Sequence, residues 1–151
     1  MATTRALSTA NIVADKATTD AANTAALALK SDIMSEAVTD YTVSASVVTF
    51  NLANGNVGFL SASASSNYTL NVTNPLTTDG RSTTVTLFAL QGATGYIPSA
   101  LQVSGSVQTI KWAGGTAPTP TSTSGKIDVF SFSLVRRSAA WTVLGTSLLN
   151  F

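Results

Sequence analysis

From Val38 to Phe151 apolar and polar residues alternate with period two, in short runs rich in β-branched and aromatic residues. Strands are expected at residues 41–52 (broken near Ala45), 57–60, 67–73, 82–90, 99–105, 106–112, 126–137 and 140–151. In the fourth run Val85, Leu87 and Ala89 share one side, and Thr84 and Thr86 the other. In the seventh, Ile127, Val129, Ser131, Ser133 and Val135 oppose Asp128, Phe130, Phe132 and Leu134. Turn signals separate the runs at Asn54-Gly55, Asn74-Pro75, Asp79-Gly80, Gly92 to Gly95, Ser104-Gly105 and Gly114-Gly115. Short strands punctuated in this way predict a mainly β chain folded as an antiparallel, jelly-roll-like β-sandwich.

The stretch before Val38 has a different period. Residues 8–37 contain no Gly or Pro and are rich in Ala, with Thr9 or Asn11 suited to cap a helix. Ala22, Ala26, Leu29 and Ile33 recur at helical spacing on one face. A face built mostly of alanine gains little from one burial, and a helix of this kind is marginal alone. It suits close packing against copies of itself or docking on a partner. The expected organisation is therefore a helical attachment or oligomerisation segment, 1–37, followed by a β-sandwich head, 38–151.

Composition narrows the chemistry. The chain has no histidine and no cysteine, which removes the commonest general base, thiol nucleophiles and thiolate metal sites. Charged residues make up 10% of the chain, against about 25% in an ordinary soluble domain. A surface so poor in charge fits burial in an assembly, the favoured reading, or an export-type β protein solvated by its Ser and Thr hydroxyls. A net charge of +1 gives no reason to expect nucleic-acid binding. No apolar run reaches the roughly 18 residues of a membrane span. The first residues lack the apolar core of a secretory signal, so synthesis in a cytoplasm is expected.

The remaining candidates for chemistry are few. Asp79 and Asp128 are the only acids after Asp40. Asp79 sits in an Asp-Gly turn where its side chain is expected to bond its own backbone, and Asp128 is placed to pair with Lys126 or Arg136. No GxSxG or P-loop pattern is present. No catalytic, cofactor-binding or metal-binding residue is expected, and no enzyme activity. Phe50, Phe59, Phe88, Phe130 and Phe132 lie within strand patterns and are assigned to the core. Tyr96 and Trp112 flank loops and are the aromatic candidates for stacking on a sugar ring. Arg136 and Arg137 precede a hairpin tip and are candidates for reading an anionic glycan.

The ordered motifs "QGATGYIP", "VQTIKWAGGTAP", a Lys-Ile-Asp-Val-Phe-Ser-Phe strand and a closing "WTVLG…F" span about residues 83–151. In that order they resemble a module of tailed-bacteriophage virion proteins, the tail fibres and related appendages of marine and cyanobacterial phages. The resemblance implies a non-enzymatic structural protein located in the virion and made in the host cytoplasm. It also implies a homotrimer whose β head contacts the host surface, where a glycan is the expected partner. Attachment to other virion proteins through the N-terminal helix is expected from the order of helix and sandwich, since the helix itself carries none of these motifs. Two other readings stand beside it. One is a capsid decoration protein, the other a carbohydrate-binding adhesin module.

Overall fold

A computed structural model describes residues 13–24 and 36–151. The chain divides into two compact units, Met1–Glu36 and Ala37–Phe151.

Within the first unit, residues 13–24 are α-helical. The hydroxyls of Thr18, Thr19 and Thr24 donate to carbonyls four residues back, at 3.0, 2.8 and 2.8 Å. Such back-bonding is the usual fate of a mid-helix threonine hydroxyl and slightly weakens the helix. Lys16 and Asp20 pair at 2.8 Å one turn apart. Ala22 lies in this helix; Ala26, Leu29 and Ile33 lie outside the described residues.

The second unit is a β-sandwich of ten strands: β1 (Val38–Tyr41), β2 (Val47–Asn51), β3 (Val57–Leu60), β4 (Tyr68–Thr73), β5 (Arg81–Leu90), β6 (Pro98–Val103), β7 (Ser106–Gln108), β8 (Ile110–Trp112), β9 (Ile127–Arg137) and β10 (Ala140–Leu148). One sheet has six strands in the order β1-β3-β5-β9-β10-β8, the other four in the order β2-β4-β6-β7. The mainly β sandwich is the expected class, but the sheets are mixed rather than antiparallel. The neighbours β1/β3, β3/β5, β2/β4, β4/β6 and β8/β10 run parallel, and only β5/β9, β9/β10 and β6/β7 run antiparallel.

The physical reason lies in the connections. From β1 to β6 the chain alternates between the sheets, crossing on links of five to seven residues. A parallel neighbour needs a long crossover, usually a helix. Here the crossover is a strand of the opposite sheet, so each pair of strands forms one coil and three coils stack. Period two reveals a strand and its faces but says nothing about the direction of its partner. A jelly roll is therefore replaced by a short coiled sandwich, closed by β9, which runs antiparallel to β5 on one side and to β10 on the other.

Tight two-residue turns set local register. Ala45 and Ser46 have φ of 48° and 61°, and Ser44 and Val47 exchange both backbone bonds across them at 2.9 Å. Ser138 and Ala139 join β9 to β10 with φ of 50° and 59°. Positive φ at both central residues is the turn geometry whose twist matches a hairpin.

Val48, Phe50, Leu70, Val72 and Leu101 from the small sheet meet Val85, Leu87, Phe130, Phe132 and Leu134 from the large one, all fully buried. Phe50, Phe130 and Phe132 are core residues as expected. Phe59 and Phe88 are not: they stack on each other at 6.4 Å, half-buried on the outer face of the six-stranded sheet. In β5 Phe88 shares parity with Thr84 and Thr86, opposite Val85 and Leu87, and Phe59 lies beside it in the β3/β5 register.

Candidate functional site

The two ends of the sandwich differ in chemistry. At one end the "QGATGYIP" loop is fastened by a buried amide. Gln91 is 3% exposed; its Oε1 accepts from Tyr96 N at 3.0 Å and its Nε2 donates to Tyr96 O at 3.1 Å. The same loop touches the proline-containing connection between β8 and β9. Gly95 N donates to Ser122 Oγ at 3.2 Å, and Gly95 packs on Pro120 and the Thr121 carbonyl with no room for a Cβ.

Asp128 completes this end. It continues the inward row of Phe130, Phe132 and Leu134 on β9 and is wholly buried. It pairs with neither Lys126 nor Arg136. Its carboxylate instead accepts from Thr121 N at 2.8 Å, Thr121 Oγ1 at 2.6 Å and Asn150 N at 3.0 Å. These bonds hold the 113–126 connection and the segment after β10 against one strand end.

Tyr68 is likewise in the core, and its hydroxyl has no hydrogen-bond partner among the described residues. Burial pushes this phenol well above its usual range near pH 10, and the negative Asp128 adds to the shift. A folded pKa raised above the unfolded value gives stability present below about pH 10 and lost as pH climbs past it. The unfolded chain then ionises while the folded one holds its proton. Tyr68→Phe is therefore expected to leave stability at pH 7 unchanged or raised by up to about 1 kcal/mol. It is also expected to lessen the decline above pH 10. Denaturant midpoints of both forms between pH 8 and pH 11.5 check this; identical alkaline declines would contradict it.

The other end is basic. Arg81 lies directly opposite Arg136 in the β5/β9 register, and Arg136 lies opposite Trp141 in the β9/β10 register. All three have the inward parity of the strands, so they form the last row at the mouth between the sheets. The Arg136 guanidinium sits 5.1 Å from the centre of the Trp141 ring. Its Nε is 3.4 Å from Asp79 Oδ1, an ion pair not aligned as a hydrogen bond, so this buried N–H makes no hydrogen bond among the described residues. Asp79 does not bond its own turn: both its oxygens accept from Ala139 N, at 3.1 and 3.0 Å. Between Arg136 and Trp141 on one side and the β6–β7 hairpin on the other lies a cleft of about 460 Å³.

The four sequence candidates are thus separated. Arg136 faces the cleft, while Arg137, one residue on, takes the opposite face and is exposed. Trp112 packs edge-on against Phe132 at 5.5 Å, across Gly145, where a Cβ would come within 2.8 Å of the indole. It borders a smaller recess of about 220 Å³ with Pro118. Tyr96 is half-buried in the loop that Gln91 holds and lines neither cleft.

Asp79 and Asp128 do not make a catalytic pair. Asp79 lies beside Arg136, eight residues along β9 from Asp128, a strand distance of roughly 26 Å, whereas paired glycosidase carboxyls stand about 5–9.5 Å apart. Among the described residues no group of three or more acidic side chains could hold a metal ion. No protein-family model, curated protein or solved structure matches the chain.

Proposed function

We propose that the chain is a structural component of a bacteriophage particle, of the tail-fibre or appendage type. On this reading it assembles as a homotrimer and attaches to other particle proteins through its N-terminal helical segment. The observation that carries the proposal is the outer face of the six-stranded sheet. Phe59, Phe88, Val129 and Leu148 form one continuous row across β3, β5, β9 and β10. The outward positions beside them are hydroxyl or apolar; charge enters only at the edge strands, with Asp40 and Lys111, and at the hairpin, with Arg137. Leu144, Leu148 and Phe151 are 46%, 64% and 62% exposed.

Six strands about 4.8 Å apart, three to eleven residues long, make a face of roughly 650 Å². A stable interface takes about 800 Å² from each partner. Neighbouring copies are the occupants of matching size and polarity, and the motif order of residues 83–151 supports three of them. The double variant Leu144→Glu/Leu148→Glu is expected to break the trimer into monomers while the β unit keeps its unfolding midpoint within a few degrees. Sedimentation paired with thermal unfolding reads this; an intact trimer would count against the face. Immunogold labelling of particles should place the chain on the tail, whereas label on the head would favour a decoration role.

A further inference from the structure

We propose that the mouth of the sandwich at Arg136 and Trp141 binds a small polyhydroxylated anion, such as an acidic sugar residue, with Arg136 taking its anionic group. Three observations converge there. The β unit has five basic residues, and Arg81, Arg136 and Arg137 all stand at this end, with Asp79 as the acid beside them. Arg81 and Arg136 are direct cross-strand neighbours, an arrangement of like charges that costs stability and that a bound anion relieves. The Arg136 guanidinium is held over an indole, with its Nε turned to the Asp79 carboxylate, so its fork is oriented before a ligand arrives.

The rest of the cleft selects the class of anion. Thr77, Ser104, Ser106 and Gln108 line it and offer uncharged donors and acceptors suited to ring hydroxyls. A volume of about 460 Å³ lies within the usual range of small-molecule sites. An anion without hydroxyls leaves those groups unused, and a neutral sugar leaves the arginine unused. The site stands on the cleft alone and does not depend on the particle assignment.

The test uses the full chain at low salt, with digalacturonate, glucose 6-phosphate, inorganic phosphate and a neutral galactose disaccharide as separate probes. The expected result is saturable binding of digalacturonate or glucose 6-phosphate, at least tenfold tighter than either of the other two. A preference between those two identifies carboxylate or phosphate as the anionic group. The chain has two tryptophans; the Trp141 indole N–H resonance should shift on binding while that of Trp112 stays in place. Arg136→Gln should weaken binding at least tenfold, with Arg136→Lys restoring part of it and Arg137→Gln changing it less than twofold. The proposal is overturned by no binding at millimolar concentration, by equal binding of the neutral disaccharide, or by a shift of Trp112 alone. An equal loss in Arg137→Gln would also overturn it. Sedimentation of the same samples keeps a loss of binding distinct from a loss of assembly.

Discussion

Asp128→Ala is expected to lower the stability of the β unit by about 3–5 kcal/mol. The carboxylate is fully buried and accepts from two backbone N–H groups and one hydroxyl. Each donor left without an acceptor costs about 1–3 kcal/mol, and hydrogen bonds to a charged group are the stronger kind. In a domain of this size the loss corresponds to roughly 10–20 °C in midpoint. Asp128→Asn keeps the shape but turns one acceptor into a donor facing the Thr121 or Asn150 amide, so it should fall between the wild type and the alanine variant. Thermal and denaturant unfolding followed by circular dichroism measure both. A midpoint shift under 3 °C in Asp128→Ala would show that these bonds are not what fastens this end.

Gly95→Ala is the second large effect, and its cause is space rather than backbone conformation. An added methyl would overlap the Thr121 carbonyl and come within 2.9 Å of Pro120 Cβ. The first of these is main chain and cannot rotate away, so the 113–126 connection must shift. That shift endangers the Gly95–Ser122 bond and both Thr121 bonds to Asp128. Overpacking alone costs about 1–3 kcal/mol, and the coupled bonds raise the expectation to about 2–4 kcal/mol. Limited proteolysis should cut the variant within residues 113–126 well before the wild type. Gly92→Ala serves as the control, because its methyl would meet the Ser63 side chain at 3.3 Å, which can turn aside. Equal cleavage of the Gly95 variant and the wild type would mean that the two loops are not coupled.

The faces of the long strands were legible in the sequence. Alternation in β9 groups Asp128 with Phe130, Phe132 and Leu134, and the structure buries that row. The same parity predicts a buried Asp128, yet a residue type so rarely buried invites a surface ion pair. Two of its three partners, Thr121 N and Asn150 N, are backbone donors with no side-chain signature. In β5 the parity that places Val85 and Leu87 inside also turns Phe88 outward; hydrophobicity argues for the core and geometry prevails. In β3 the residues on both faces are apolar or glycine, so four positions give no face at all.

The basic mouth needed both kinds of information. Arg136 continues the inward parity of β9, which separates it from Arg137, and this much is readable from spacing. That Arg81 and Trp141 stand on either side of it depends on register across three strands, which period two leaves open. The run from Lys111 to Phe130 shows the same division. Its strand end at Trp112 and its glycine turn, with φ of 76° and 80° at Gly114 and Gly115, follow from local residue chemistry. Its anchoring by Asp128 does not.

Sedimentation velocity of the full chain at micromolar concentration tests the assembly reading most directly. A single species at three times the 15.4 kDa chain mass is the predicted result. A monomer that persists up to tens of micromolar would contradict it.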